Sequence, residues 1–152
     1  MKLAEALLER KSLKDKIDSL RARLDENVLI QEGDQPNEQP QVLLEELGEA
    51  LRQLEQLIRK INGTNNIARL ADGSTVSEAI VRRDVLRMKR EAIEQVVNSA
   101  SLRHHRFGRN EVKFVLTVNT ADLRQQIDAL SKQWRELDSE IQAANWTMEL
   151  VT

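Results

Sequence analysis

The sequence predicts a mainly α protein, an antiparallel bundle of four long helices with coiled-coil-like seams plus a small β element at about 66–75 and 111–118. Three observations predict it. Apolar residues recur at alternating steps of three and four along several stretches, which places them on one stripe of a helix. The composition suits long helices, with 32% charged and 40% hydrophobic residues but only 5 Gly and 2 Pro in 152 residues. The Gly and Pro that do occur cluster mainly between the periodic stretches, where chain breaks belong.

The first helix is predicted from about Lys2 to Asn27, on the stripe Leu3, Ala6, Leu13, Ile17, Leu20 and Leu24. At 1.5 Å per residue it is about 39 Å long. Gln31–Pro40 has two prolines, a glycine and no apolar side chain, so it reads as a solvated loop. Pro40 opens a second helix, where its missing N–H is harmless. That helix carries the heptad seam Leu44, Leu47, Leu51, Leu54, Ile58 and Ile61, and Asn62-Gly63 is expected to stop it.

Around Asp72-Gly73 the pattern predicts a short strand pair or an extended loop at a tight turn. Thr75 with Glu78 three residues on is a capping-box signature for a third helix, from about Val76 to Ser101. Its seam of Val76, Ala79, Leu86, Ile93, Val97 and Ala100 is interrupted by Arg83 and Arg90. Two arginines on a stripe face either solvent or an acidic partner. Residues 111–118 are rich in β-branched side chains and read as a strand. Asn119-Thr120 caps the last helix, whose seam is Leu123, Ile127, Leu130, Trp134, Leu137, Ile141 and Ala144. The tail 145–152 is apolar enough that it should dock. The whole reads as one domain over 1–152.

The absence of Cys and Tyr excludes disulfides, thiolate catalysis, cysteine–zinc sites and tyrosine chemistry. No phosphate loop, dinucleotide fingerprint or nucleophile elbow is present. There is neither a signal peptide nor a run of roughly 20 apolar residues that would span a bilayer, so a cytoplasmic protein without a membrane partner is expected.

The net charge is −2, from 23 Lys+Arg against 25 Asp+Glu, but it is unevenly spread. Residues 82–113 hold nine basic against four acidic side chains, residues 31–62 three against seven, and residues 114–152 three against six. Arg82, Arg83, Arg87, Arg103, His104, His105, Arg106 and Arg109 therefore form the candidate anion or partner surface. Nucleic acid is not the expected partner, because no aromatic stacking platform accompanies the basic run beyond Phe107 and Phe114. His104 and His105 are adjacent and point apart, so they make a poor metal pair. Glu46 with Glu49, and Glu91 with Glu94, each place two carboxylates on a helical face. If the pairs converge they suit Mg²⁺ and a phosphorylated substrate, the alternative to a non-enzymatic role.

Several stretches together resemble the septicolysin-like family of small bacterial proteins: Met1-Lys-Leu-Ala-Glu-Ala6, Leu29-Ile-Gln-Glu-Gly33, Ile61-Asn-Gly-Thr-Asn65, Arg83-Asp-Val-Leu86 and Ile141-Gln-Ala-Ala-Asn-Trp146. The resemblance covers essentially the whole chain and implies no established activity or catalytic residue. It draws attention to Asn62, Asn65, Asn66, Arg69 and Asp72 as loop ligand candidates, although Asn and Asp equally suit tight turns. No cofactor is expected. The resulting expectation is a self-assembling interaction or structural protein, a homo-oligomer with the dimer as first guess, with a further protein partner to be identified.

Overall fold

The computed structural model describes the backbone of residues 1–106 and 113–152, and the side chains of all of these except 102–106. The chain is mainly α, with helices α1 (Leu3–Asn27), α2 (Pro40–Ile67), α3 (Val76–Arg106) and α4 (Thr120–Thr147). Packing groups the residues into two compact units, one of Met1–Ala68 with Ala144–Thr152, the other of Arg69–Ala143.

The first unit is an α1/α2 hairpin closed by the tail. Ile17, Leu20 and Leu24 pack with Leu43 and Ala50, while Leu3 and Ala6 pack with Leu57 and Ile61. The end of α1 therefore meets the start of α2, and the two helices run antiparallel. The α1 stripe is the predicted one, but the α2 stripe is rotated. Its buried side is Leu43, Ala50, Leu57, Ile61 and Thr64, whereas Leu44 and Leu51 stay 52% and 47% exposed. Leucines at both 43 and 44 make two stripes available, sharing positions 47, 54 and 61. The one containing Ala50 wins because a small side chain at the seam lets the helix axes approach.

The predicted stop at Asn62-Gly63 does not occur, and α2 continues to Ile67. The extra turn is held by the tail. Thr64 Oγ1 donates to Lys60 O at 2.9 Å and accepts the Val151 N–H at 3.0 Å, while Gly63 leaves room for Val151. Leu3 N–H donates to Met148 O and Leu150 N–H to Met1 O, at 2.9 and 2.8 Å, and Met148 and Leu150 cover the Leu3–Ile61 cluster. The expected docking of the tail is thus observed. At the other end, Asn27 donates to Arg23 O and accepts from Glu38 N–H, and the Arg23 guanidinium pairs with the Glu38 carboxylate. Each member of that pair stabilises the charge of the other, raising the Arg23 pKa and lowering that of Glu38.

In the second unit, the Thr75–Glu78 capping box forms as predicted. Thr75 N–H donates to Glu78 Oε2 at 2.7 Å, and Glu78 N–H to Thr75 Oγ1 at 3.1 Å. Asn119 Oδ1 accepts from Ala121 and Asp122 and caps α4. Arg83 on α3 reaches Asp138 on α4, while the chain leading into α4 lies along residues 92–100 of α3, so these helices also run antiparallel. Val76, Ala79 and Val97 from α3, and Leu130, Leu137 and Ile141 from α4, are buried as the seams predict.

The predicted strands do not form among the described residues, and at 66–75 the alternative reading, a loop at a tight turn, is the one observed. Among the described residues there are two isolated bridges, Lys2–Glu149 and Arg69–Thr75. At 66–75, Ile67 belongs to α2, and the remainder is a tight turn in which Gly73 takes φ +84° and Arg69 donates to its carbonyl at 2.8 Å. Once α2 has absorbed its last predicted residues, too little chain is left for a strand. Residues 113–118 form no ladder; Glu111 and Val112 lie outside the described residues.

Candidate functional site

The basic run was the leading functional surface, and the structure places its members in different circumstances. Arg82 Nη1 lies 3.1 Å from Asp72 Oδ2, and Arg83 Nη1 lies 2.8 Å from Asp138 Oδ1 with Asp84 also in reach. Arg87 and Arg90 face Glu91 and Glu94 one turn on, at 3.9 and 3.6 Å. Four arginines are therefore matched by carboxylates of their own unit. The Arg83–Asp138 pair supplies the acidic partner that its position on the α3 stripe called for. The side chains of Arg103, His104, His105 and Arg106, and all of Arg109, lie outside the described residues.

The loop ligand candidates fall on both units. Asn62, Asn65 and Asn66 sit on the last turns of α2. Asp72 organises the turn before α3, accepting from the Ser74 hydroxyl at 2.5 Å, the Ser74 N–H at 2.9 Å and Arg82. Those bonds, the Ser74 hydroxyl first, hold its pKa at about 2. Arg69 and Asp72 act here as turn formers.

Of the four carboxylates of the hydrolase reading, Glu46 and Glu49 belong to the first unit and Glu91 and Glu94 to the second. Glu49 is held by Arg52 and Gln53, which lower its pKa, and Glu91 and Glu94 face Arg87 and Arg90. Among the described residues no group of three or more His, Asp or Glu gathers as a metal would require. Two buried donors of the second unit, Arg90 Nε and Trp134 Nε1, have no hydrogen-bond acceptor among the described residues.

What the cations leave open on α3 is apolar. Val81, Val85, Met88 and Val96 follow one another at steps of four, three and eight, on a face separate from the buried seam, and all are exposed. Val81 and Met88 are each 63% exposed. Beside the Val96 end of this stripe lie Phe114, Val115, Leu116 and Val118, of which Val115 is 82% exposed. Between them runs a groove of about 460 Å³, lined by Ala92, Gln95, Val96, Ser99 and Ala100 on one wall and 114–118 on the other. A second depression, over Ser77, Val81, Arg82, Val85 and Leu86, lies nearer the start of α3. The sequence carries the signal for this stripe in its spacing, but the interleaved arginines draw attention away from it.

A protein-family profile, described as a family of unknown function and designated DUF6847, matches residues 10–150. The chain belongs to this family. One solved structure similar to this chain is described as the crystal structure of a functionally unknown conserved protein from Corynebacterium diphtheriae. It is 36% identical, with 99% of each chain covered and a TM-score of 0.94. Comparison with curated proteins finds no match. The septicolysin-like resemblance is overturned by these findings. The matching family has unknown function, the solved relative is likewise functionally unknown, and neither points to a lytic family. The short motifs behind that resemblance are largely helix seams and turns, which the fold explains without it.

Proposed function

We propose that this member of DUF6847 is a non-enzymatic cytoplasmic protein that works by binding protein surfaces, its own among them. The observation that carries this reading is the apolar stripe of α3 with the 114–118 segment beside it. Contiguous exposed apolar surface on this scale marks interaction sites, whereas singly scattered apolar side chains do not. The ion pairs of Arg82, Arg83, Arg87 and Arg90 support it further. They leave those cations partly neutralised and suited to the rim of an interface rather than to capture of a polyanion. Among the described residues no helix is long and apolar enough to cross a membrane.

Native mass spectrometry of the untagged protein tests the reading. The expected result is a discrete oligomer with no additional mass. A strictly monomeric species carrying a divalent metal or a nucleotide-sized ligand overturns it in favour of the hydrolase alternative through Glu46, Glu49, Glu91 and Glu94. Tight binding of single-stranded oligonucleotide that collapses with added salt overturns it in favour of anion capture by the 82–113 region.

A further inference from the structure

We infer that the occupant of the α3 face is a second copy of the same chain, paired about a twofold axis so that residues 115–118 of the two copies form an antiparallel β pair over the two α3 stripes. The inference rests on the self-assembly reading and gives it a place. Three observations carry it.

The first is main-chain accounting. Val115–Val118 is a run of strand-forming residues whose N–H and C=O groups make no hydrogen bond among the described residues. Exposed, unladdered main chain on a β-branched segment is a ready template for pairing with another chain. The segment is also its own complement. Antiparallel pairing of Val-Leu-Thr-Val with itself brings no like charges opposite one another.

The second observation is area. Val81, Val85, Met88 and Val96 and the apolar side chains of 114–118 stand 39% to 82% exposed, an apolar surface large enough to form the centre of an interface of about 800 Å² per partner. The third is charge. Two copies of a bare basic helix would repel each other, but here Asp72, Asp138, Glu91 and Glu94 answer Arg82, Arg83, Arg87 and Arg90 within each copy. Like faces can then meet without like charge between them. A twofold contact needs this self-complementarity, since each patch meets its own image.

Sedimentation velocity across a concentration series, with amide hydrogen exchange at the same concentrations, tests the inference. The wild-type protein is expected to dimerise, with protection at 115–118 that grows with concentration. The double variant Val85→Glu, Met88→Glu should weaken the dimer at least about 100-fold, as expected for two central contacts. Its helical circular dichroism should be unchanged, because both side chains project outward. If that variant misfolds, the milder Val85→Ser, Met88→Gln pair should still weaken the dimer. Leu51→Glu, on the exposed face of α2, should leave it intact.

A dimer broken by Leu51→Glu but not by the α3 variants overturns the assigned face while leaving self-assembly standing. A monomer at every concentration overturns both. Protection of 115–118 that persists in a monomeric α3 variant overturns the β pairing, because the segment then has its partner within its own chain.

Discussion

The two units of this protein spend their apolar residues differently. In the first, the stripes of α1 and α2 close on each other from Leu3–Ile61 at one end to Leu24–Leu43 at the other, and the tail covers the open end. In the second, α3 buries Val76, Ala79 and Val97 but interrupts its seam with Arg83 and Arg90, and leaves a separate row of Val and Met outside. The same total of hydrophobic side chains can stabilise a chain or make it adhesive. Which of the two happens depends on whether the residues fall on one helical stripe or on two.

That contrast can be broken most strongly at Leu20, which is fully buried. Leu20→Ala should destabilise by about 2–5 kcal/mol in urea unfolding. Val85→Ala, on the exposed row, should stay within about 0.5 kcal/mol when measured on the monomer. Equal losses at the two sites would remove the distinction between the units.

A smaller effect is expected at the ion pair that substitutes for an apolar contact in the α3 seam. Arg83→Met should cost about 1–2 kcal/mol, because it strands a partly buried carboxylate. A double-mutant cycle with Asp138→Asn should show coupling between the two positions, and additive losses would mean that the pair contributes nothing of its own.

The two helical glycines of α2 sharpen the comparison within the first unit. A methyl group at Gly48 meets nothing within 4 Å, so Gly48→Ala should stabilise by about 0.5–1 kcal/mol through helix propensity alone. At Gly63 the same methyl group meets Val151 Cγ2 at 3.2 Å. Gly63→Ala should therefore forfeit that gain and speed hydrogen exchange at the Val151 amide, as the tail is pushed from Thr64.

The smallest expected effect is at Asp72. Its pKa is lowered to about 2, so its contribution to stability is complete above the ordinary carboxylate value and fades as pH falls through about 2. A carbon-13 titration of the Asp72 carboxyl should give that midpoint, and Arg82→Ala should move it upward. A midpoint already near 3.8 in the wild-type protein would show that the turn does not hold the carboxylate as described.

The pattern of steps of three and four is enough to place all four helices, and Thr75–Glu78 and Asn119 mark where two of them start. It leaves the register of α2 open, because leucines at 43, 44, 51, 54 and 57 satisfy two stripes at once. Only the close approach to α1 at Ala50 selects between them. The tight turn at 69–75 is one of the two readings the sequence leaves open there, and 113–118 reads as a strand because composition reports β preference but not whether a ladder partner exists. The exposed α3 row was legible in its spacing. It was overlooked because charge, interleaved one residue away, reads as function more readily than an apolar side chain does.

The pairing of residues 1–3 with 148–150 bears on the order in which the chain acquires its structure during synthesis. The α1/α2 hairpin leaves the ribosome before the residues that cover it and can collapse at its Leu24–Leu43 end at once. Its other end cannot be finished until Met148–Val151 arrive. At about 5–20 residues per second, the stretch from Arg69 to Ala143 takes about 4–15 s to make. For that interval the nascent hairpin carries Leu3 and Ile61 without their cover and Thr64 without the amide it accepts. The arrival of Met148–Val151 thus completes the hairpin, and a chain lacking them would present an open apolar end to whatever surveys unfinished proteins.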